Sequence, residues 1–470
     1  MRLLLINPAE TLVVRANLPD EIEAVRGNNP PINLLQVAAA ARRDGHAEVS
    51  LIDAHAEDLT PVQVAARAHR LQPDLIGLTA VSFTMPAARA QAQALQEALP
   101  ETPRWLGGLQ PFLYPAETLA LPEFDGLIRG EGEHPLATLC RHGGEKSRLG
   151  DEPGFYFQRD GALIDTGVAP TVADLDTLPQ PAYDLLRPEL YGSVLTDLHP
   201  VANAVTSRGC PYHCTYCSRS VTGKRFRAHG PAYVVENFRR AHDLGFAALL
   251  VYDEVFTIDK ARVLAICDGL RHAGIDLPWM ARATIGTVDE EMMRAMAAAG
   301  CRWITFGIES GSPAVLRRLG RPTDLETARQ VFAAARRVGL KTLAYFMVGN
   351  PDESAADIAQ SAAFMVRLDP DHVHLAVYTM YPATPLYDEA VEKGLLPADL
   401  WREFATDPAS AFTAPHWPGS FSADDLFAIV RRLYRRFYLR PRVIWRERRS
   451  LLSWRAFRRR LRYLGALITR

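Results

Sequence analysis

The chemistry that this sequence can perform centres on Cys210, Cys214 and Cys217, which lie within eight residues of one another. They form a C-x3-C-x2-C pattern. Thiolates are soft ligands that suit iron, and cysteine thiolates hold iron–sulfur clusters. Three cysteines leave one iron of a four-iron cluster open to a small molecule. The alternative is a zinc site, which normally needs four ligands, and His213 is the candidate for the fourth.

The segment resembles the signature loop of radical S-adenosylmethionine (SAM) enzymes, in which an aromatic residue precedes the third cysteine, as Tyr216 does here. The resemblance implies that the three cysteines are the catalytic ligands of a [4Fe-4S] cluster. It also implies that the open iron chelates the amino and carboxylate groups of SAM, with Tyr216 at the SAM site.

Two charged residues at predicted strand ends match SAM-binding positions of this family. Asp253 follows the second strand of the predicted core, and its alternative role is to cap the next helix. Arg282 ends the third strand, where a guanidinium is suited to clamp the SAM carboxylate. The alternative for Arg282 is an ion pair with Asp253 or Glu309.

The next two strands end in longer motifs. The run Gly307-Ile308-Glu309-Ser310-Gly311 matches the family's G-I-E-S-G motif, which implies that Glu309 accepts hydrogen bonds from SAM. Gly349 begins a turn that resembles the G-x-P-x-E turn under the adenine of SAM. Within this turn we predict that Glu353 is an acid at a helix N-terminus rather than a catalyst.

The last predicted strand is followed by Tyr381-Pro382-Ala383-Thr384-Pro385-Leu386-Tyr387, which resembles the family's Y-P-G-T-P-L-Y with Ala383 in place of glycine. Residues near this strand are candidates for handling a substrate proton, and the alternative for each is simple packing. These candidates are His372, His374, Tyr378 and Tyr381.

The first 145 residues alternate short apolar runs with helical patterns. Strands are predicted at Leu3–Ile6, Val49–Ile52, Leu75–Leu78, Trp105–Leu106 and Gly126–Ile128. This alternation predicts a parallel sheet of flavodoxin-like or Rossmann-like order that is covered on both faces. Ligands of such sheets bind at the carboxyl ends of the strands.

Small and polar residues follow these strands and let a large flat ligand approach the backbone. No G-x-G-x-x-G follows the first strand, which disfavours a dinucleotide. The Leu5-Ile6-Asn7-Pro8 opening, the Gly107-Gly108 turn and Gly130-Glu131-Gly132-Glu133 resemble instead the cobalamin-binding domain that is joined to many radical SAM enzymes. The resemblance implies cobalamin contacts at Asn7, Ser82, Gly107, Gly108, Gln110, Gly130 and Glu131.

The segment that begins Asp53-Ala54-His55 departs from the D-x-H-x-x-G motif of the best-known cobalamin domains. Its final glycine is missing, and it follows strand two rather than strand one. We therefore predict that His55 is a surface histidine. The resemblance then implies cobalamin without a histidine lower ligand, covered from below by the loops around Ser82 and Gln110.

From residue 201 onward, strand–helix alternation resumes six times, which predicts a parallel (β/α)6 partial barrel, the radical SAM core. The chain is thus predicted to be an α/β protein in four parts. They are a cobalamin-binding domain at 1–145, a linker at 146–200 with a hairpin around Arg159-Asp160-Gly161, the radical SAM core at 201–390, and a helical, basic C-terminal region at 391–470.

The composition, 48% hydrophobic and 23% charged, is ordinary for a globular protein. No apolar run reaches the roughly eighteen residues of a membrane span, and the apolar start is too short for a signal peptide. Cys140, Cys267 and Cys301 are scattered over apolar segments and are predicted to be core residues. A reducing cytoplasm fits this use of cysteine.

The net charge of −1 conceals a basic C-terminal segment. Arg431–Arg470 contains fifteen arginines and a single acid, Glu447, so its net charge is +14. A basic amphipathic helix suits an anionic membrane surface, and such a peripheral contact is one interpretation. Nucleic-acid binding is disfavoured, and a solvated helix packed on an acidic domain stays open as the other alternative.

The resemblance covers residues 1–390 and implies methylation of an unactivated carbon in a small-molecule substrate. A C–H bond without an acidic proton cannot be deprotonated, so a 5′-deoxyadenosyl radical made from SAM removes the hydrogen. Methylcobalamin then supplies a methyl group that it releases homolytically. A reductant such as flavodoxin or ferredoxin is the implied protein partner.

Two alternatives stay open. One is an oxidative cyclisation or ring rearrangement on the same architecture, without methyl transfer. The other is a non-catalytic module that binds cobalamin or an iron–sulfur cluster, against which the intact cysteines and Glu309 argue.

Overall fold

The computed structural model describes residues 1–10, 14, 27–150, 152–193, 195–218, 221–321, 323–409 and 411–447. This part of the chain contains two large, mainly parallel sheets covered by helices and a helical C-terminal region, which confirms the predicted α/β class. The basic segment predicted at 431–470 lies outside the described residues from residue 448 onward.

Five parallel strands begin the first sheet: β1 (Arg2–Asn7), β2 (Glu48–Asp53), β3 (Leu75–Thr79), β4 (Arg104–Gly107) and β5 (Gly126–Ile128). Their order, β2-β1-β3-β4-β5, is the predicted flavodoxin-like order. The winding reverses between β1 and β3, and ligands of such sheets bind outside the strand ends at this point. The edge that carries Asn7 and Thr79 is therefore where a cofactor is expected.

Among the described residues, six helices cover this sheet: α1 (Ile32–Asp44), α2 (Pro61–Leu71), α3 (Met85–Ala98), α4 (Leu109–Leu113), α5 (Pro115–Leu119) and α6 (Glu133–Arg141). Strand β1 is buried on both faces because its side chains divide between two helix pairs. Leu3 and Leu5 lie in the core with α1 and α6, whereas Leu4 and Ile6 lie in the core with α2 and α3. An uninterrupted apolar run is the expected pattern for such a strand.

A hairpin of β6 (Phe155–Arg159) and β7 (Ala162–Asp165) extends the first sheet into the segment that was predicted to be a linker. Strand β6 pairs antiparallel with β5, so the sheet has seven strands. Asp160 and Gly161 both have positive φ, as a tight two-residue hairpin turn requires. Single turns of 3-10 helix occur at Ser82–Thr84, Lys146–Arg148, Leu175–Thr177, Tyr183–Leu185 and Pro188–Leu190.

The second large sheet has six parallel strands: β8 (Val201–Ala204), β11 (Ala248–Val251), β12 (Trp279–Ala283), β13 (Cys301–Glu309), β14 (Lys341–Val348) and β15 (His372–Val377). Each pairs with the next in sequence, which is the order of the predicted (β/α)6 partial barrel. Between β8 and β11 lies a short antiparallel ladder of β9 (Ser207–Arg208) and β10 (Arg227–Ala228), and the cysteine loop connects its two strands.

Six helices cover this barrel: α7 (Pro231–Asp243), α8 (Lys260–His272), α9 (Glu290–Ala298), α10 (Pro313–Arg318), α11 (Leu325–Arg337) and α12 (Ala355–Leu368). Most of them begin at a side chain that accepts a hydrogen bond from a backbone N–H of the first turn. This is why their starts can be read from the sequence. The capping residues are Asp259, Asp289, Ser312, Asp324 and Ser354.

The described part of the C-terminal region contains α13 (Pro385–Glu392), α14 (Leu400–Thr406), α15 (Ala423–Tyr438) and α16 (Pro441–Glu447). Helix α15 packs its apolar face against β15, and the hydroxyls of Tyr434 and Tyr438 bond to that strand. Asp369 lies near Arg440, Arg442 and Arg446, so part of the basic segment is neutralised by the barrel. No helix of the described residues is long and apolar enough to cross a membrane.

A buried ion cluster joins the first domain to the cysteine loop. Glu131 follows β5, and its carboxylate lies 2.6 Å from the Arg227 guanidinium and 3.3 Å from that of Arg208. Arg208 also pairs with Glu133, the first residue of α6. Burial alone would raise the pKa of Glu131, but the Arg227 hydrogen bonds and the Arg208 charge outweigh it and lower that pKa.

We expect Glu131→Gln to destabilise the protein strongly, because the substitution leaves the buried Arg227 without a carboxylate partner and Arg208 with Glu133 alone. Breaking a buried pair in this way costs about 3–5 kcal/mol. The urea unfolding midpoint measures the loss. The matched control is Glu326→Gln, which removes an exposed pair with Arg329 worth about 0–1 kcal/mol. Equal midpoints for the two variants would contradict the role given to the buried cluster.

Candidate active site between the two sheets

The cysteine loop leaves β9 through a tight turn at Gly209. This residue has a φ of +84°, and a Cβ there would lie 2.2 Å from the Arg225 carbonyl oxygen. Only glycine fits such a position. Beyond the turn, Cys214 is buried, whereas Cys210 and Cys217 are half-buried.

Backbone bonds hold the middle of the loop. The Thr215 N–H donates to the Leu319 carbonyl at 3.0 Å, and the Thr215 carbonyl accepts from Leu386 N–H at 3.1 Å. The chain after α10 and the start of α13 thus fix the loop from two sides. Among the described residues, no three His, Cys, Asp or Glu side chains converge as ligands of one metal ion. In a [4Fe-4S] cluster each cysteine binds a different iron.

Asp253 supports the segment that leads into the loop. Its buried carboxylate accepts hydrogen bonds from the Thr206 N–H at 2.5 Å, the Thr206 hydroxyl at 2.6 Å and the Ser207 hydroxyl at 2.6 Å. Asp259, not Asp253, caps the following helix, so the alternative of a helix cap is wrong. The SAM contact of Asp253 stays a prediction.

Glu309 ends β13 at an irregularity in its pairing with β14 and has a φ of +67°, which is unusual for a residue other than glycine. Burial raises the pKa of its carboxyl group, against the nearby charge of Arg321 and a hydrogen bond from Tyr216. The structure therefore brings together Tyr216 and Glu309, two residues that the sequence assigned independently to the SAM site.

Arg321 is a member of this cluster that the sequence did not single out. Its Nη2 donates to the Gly307 carbonyl at 2.7 Å, and its Nη1 lies 3.6 Å from the Cys214 Sγ. Arg321 thus links the G-I-E-S-G strand end to a cluster ligand. The only mark of Arg321 in the sequence is its position directly after Gly320, shortly beyond the G-I-E-S-G motif.

Arg282 lies at the end of β12 with its guanidinium over the Tyr252 ring, 4.3 Å from the ring centre. Among the ion pairs of the described residues, none joins Arg282 to Asp253 or Glu309. A half-buried arginine that stacks on an aromatic ring keeps its N–H donors for another acceptor. Its contact with the SAM carboxylate stays a prediction.

Gly349 begins the turn after β14 with a φ of +76°, where a Cβ would lie 2.8 Å from Leu426 of α15. The Glu353 carboxylate accepts hydrogen bonds from the Gly349 N–H at 2.7 Å and the Asn350 N–H at 3.1 Å. Burial raises the pKa of Glu353 to about 7. Glu353 closes the turn, and helix α12 begins two residues later behind the Ser354 cap.

The candidates for proton handling lie in different surroundings. Burial lowers the pKa of His374 to about 4, and its ring meets Tyr345 edge-on at 5.3 Å. His372 packs against Trp303, 5.1 Å between ring centres. Tyr378 has a buried hydroxyl without a hydrogen-bond partner in the described part of the chain. No contact singles out one of these residues as the proton carrier.

At the expected cofactor edge of the first sheet, Asn7 donates to Asp53 at 2.8 Å, and the Tyr191 hydroxyl donates to the same carboxylate at 3.0 Å. Burial raises the pKa of Asp53. His55 is half-buried, with its ring 3.9 Å from Glu10. The side chain of Asn7 is therefore held toward β2.

Other polar atoms of this edge are buried without partners in the described residues. They are the Ser82 hydroxyl and both side-chain polar atoms of Gln110. Gly108 has a φ of +104°, and a Cβ there would lie 2.4 Å from the Ala80 carbonyl. The neighbouring Gly107 is half-buried. Gly130 has a φ of +104° and passes close to Ala169, beside the ion-paired Glu131.

The carboxyl ends of the two sheets meet through aromatic side chains. Phe83, which follows β3, packs edge-on against Tyr381 at 5.2 Å and against Trp401 at 5.5 Å. Tyr216 packs against the same hydrophobic core. The cysteine loop and the cofactor edge of the first sheet therefore border a common region.

Both large domains of this chain match known protein families. Residues 204–365 match the Radical SAM superfamily, and residues 22–140 match the B12 binding domain. An uncharacterized methyltransferase of Pyrococcus horikoshii is 30% identical over 449 residues, covering 95% of this chain and 94% of that protein. The anaerobic magnesium-protoporphyrin IX monomethyl ester cyclase of Rubrivivax gelatinosus is 26% identical over 425 residues, 88% of this chain and 75% of that protein.

The fold is also similar to a solved structure. The cobalamin-dependent S-adenosylmethionine radical enzyme OxsB, determined with aqua-cobalamin and SAM, superposes with a TM-score of 0.73 and 17% identity. The match covers 98% of this chain and 72% of that one.

A three-cysteine loop on a parallel partial barrel, behind a B12-binding sheet, defines a class of radical enzymes with two organic cofactors. The chain belongs to the family of cobalamin-binding radical SAM enzymes. The predicted family, its catalytic nature and its cofactors, a [4Fe-4S] cluster, SAM and cobalamin, are confirmed at this level. The individual contact residues stay predictions.

We expect alanine at Cys210, Cys214 and Cys217 together to abolish the broad iron–sulfur absorbance of anaerobically reconstituted protein, because the cluster then has no thiolate ligands. Iron per chain measures the loss. Cys140→Ala is the matched control, since Cys140 is a buried cysteine distant in sequence from the loop and should leave the iron content unchanged. Equal iron in both proteins would overturn the cluster assignment.

Proposed function

We propose that this enzyme transfers a methyl group from SAM, by way of cobalamin, to an unactivated carbon of a small-molecule substrate. The main observation in support of this proposal is that the ends of the two sheets meet where Phe83 contacts Tyr381. The radical derived from SAM and the methyl group carried by cobalamin act on the same substrate carbon, so both cofactors must reach that atom. A shared, aromatic-lined border fits that requirement and helps to exclude water from reactive intermediates.

The residues at the cysteine loop fit a cluster with bound SAM. Cys210, Cys214 and Cys217 would ligate three irons, and Glu309 would accept hydrogen bonds from the SAM amino group. Arg282 would bind the SAM carboxylate with the donors that its stacking on Tyr252 leaves available. Tyr216 and Gly349 would line the SAM site, and the role of Asp253 would be to hold the strand that leads into the loop.

The residues at the first sheet's edge fit a large flat cofactor. Ser82 and Gln110 carry buried polar atoms without protein partners, which is costly unless another group supplies the hydrogen bonds. Gly107 and Gly108 would allow close approach of the cofactor to the backbone. Asn7 and Gly130 would border the same site.

When bound, these cofactors supply a hydrogen-abstracting 5′-deoxyadenosyl radical and a methyl group that leaves homolytically. The chain's own task is to position them and the substrate. A substrate proton, where the reaction releases one, would pass to one of the four candidates near β15, which are His372, His374, Tyr378 and Tyr381. A low-potential donor such as flavodoxin or ferredoxin would supply the electrons.

Oxidative cyclisation is the second candidate. The observation in its favour is the Rubrivivax cyclase, whose similarity extends over 88% of this chain. In that case the substrate radical would be oxidised without receiving a methyl group. The third alternative, a non-catalytic module, does not fit the family, whose members are enzymes.

We expect the reconstituted enzyme, given its substrate, SAM and a strong reductant, to form both S-adenosylhomocysteine and 5′-deoxyadenosine. Each methyl transfer consumes two molecules of SAM, because one donates the methyl group and the other supplies the radical. Mass spectrometry measures the two products and the mass of the organic product. The Cys210→Ala variant is the control and should form no 5′-deoxyadenosine. Formation of 5′-deoxyadenosine alone, with a product that gains no methyl mass, would favour cyclisation.

The basic C-terminal segment would make a peripheral contact with an anionic membrane. Leu439, Ile444 and Trp445 are 49%, 52% and 65% exposed, respectively, beside the exposed Arg432 and Arg436. Apolar side chains among arginines suit the interface of an anionic bilayer.

We expect the full chain to float with phosphatidylglycerol vesicles and to stay unbound with phosphatidylcholine vesicles, because the contact is electrostatic and apolar together. Removal of residues 448–470 should weaken flotation. The cut lies after α16 because a cut at Arg431 would destroy the buried face of α15. Unchanged flotation of the shortened chain would contradict a contribution from residues 448–470, and failure of the full chain to float with phosphatidylglycerol vesicles would contradict the membrane contact itself.

A further inference from the structure

Arg321 is a half-buried cation that forms no ion pair among the described residues. Its hydrogen-bond partners are the Gly307 carbonyl at 2.7 Å and the Cys214 Sγ at 3.6 Å. No carboxylate within 4.0 Å pairs with it among the described residues, and its Nε is buried without a hydrogen-bond partner. Arg208 and Arg227, by contrast, share the Glu131 carboxylate.

Withdrawing a cation from water without a counter-ion is costly, and an anion beside the guanidinium would offset that cost. The nearest acidic side chain, Glu309, has a pKa that burial raises, which weakens it as the counter-ion. The guanidinium reaches instead to Cys214, a ligand of the cluster. Three thiolates around an iron–sulfur core carry net negative charge.

The backbone places Arg321 at this point. Its N–H donates to the Leu316 carbonyl at 2.9 Å, which turns the chain back after α10. Gly320 precedes it with a φ of +59°, and a Cβ there would lie 3.0 Å from the His213 carbonyl inside the cysteine loop. The same turn that supports the loop thus directs the guanidinium at one of its cysteines.

We propose that Arg321 is a positioning residue that supplies the counter-charge of the cluster through Cys214 and raises the reduction potential of the cluster. This inference rests on the cluster assignment but not on methyl transfer. One-electron reduction, from the 2+ to the 1+ state, adds a negative charge to the cluster. A fixed positive charge and a hydrogen bond to a ligating sulfur stabilise the reduced state more than the oxidised state.

The test compares reconstituted wild type with Arg321→Gln and Arg321→Lys by EPR during redox titration with a Ti(III) donor, which is oxidised to Ti(IV). We expect Arg321→Gln to lower the equilibrium constant for reduction of the cluster about tenfold, which lowers the reduction potential by about 59 mV for one electron. Arg321→Lys should recover most of the shift.

The matched control is Arg329→Gln, which removes an exposed arginine of α11 that pairs with Glu326 and should leave the potential unchanged. Loss of iron from a folded Arg321→Gln, restored by Arg321→Lys, also supports the counter-charge. Full iron and a wild-type potential in Arg321→Gln would overturn the inference, as would failure of Arg321→Lys to restore either property. Absence of iron from the wild type would instead overturn the cluster assignment.

Discussion

Glu131 reaches from the end of the first sheet into the ladder from which the cysteine loop emerges, and there it meets Arg208 and Arg227. Both sides of this contact are buried, so every charge depends on the others for solvation. A small displacement of one domain would leave a charge without its partner. The spacing between the cofactor edge and the cluster loop is therefore held by ions that cannot exchange their partner for water.

The described residues of the cysteine loop, 209–218 and 221–226, form no helix or strand, so contacts with the surrounding elements fix the shape of the loop. Asp253 holds the incoming segment, while Leu319 and Leu386 bond to the backbone of Thr215. Backbone groups that would otherwise remain unsatisfied find partners outside the loop. The loop is thus held at Thr215, the residue directly after Cys214, by segments on two sides.

Much of this fold could be predicted from the sequence because its signals are local. Strand β5 occurs at the predicted Gly126–Ile128, because short apolar runs mark the strands, and capping residues such as Asp259 mark the helix starts. The meeting of Tyr216 and Glu309 was predictable because two motifs point to one ligand. The strand ends of a parallel sheet converge whatever their distance in sequence.

The partners of buried charges could not be predicted in this way. Arg321 lies 107 positions from Cys214, and Glu131 lies 96 positions from Arg227. Neither pairing leaves a periodic or local mark, since any arginine could meet any acid until the topology is fixed. The sequence therefore indicated Glu131 as a cofactor contact, while the structure shows an ion pair that joins two domains.

An open barrel of six strands leaves β15 without a neighbour on one side, and such an edge can pair with the strand of another molecule. Here two phenols take the place of a neighbouring strand. The Leu375 N–H donates to the Tyr434 hydroxyl at 2.9 Å, and the Val373 N–H donates to the Tyr438 hydroxyl at 3.2 Å. The Tyr434 hydroxyl also donates to the Leu375 carbonyl, and the Tyr438 hydroxyl donates to the Val373 carbonyl, both at 3.3 Å. Helix α15 thereby protects the barrel from intermolecular sheet growth, a solubility function independent of catalysis.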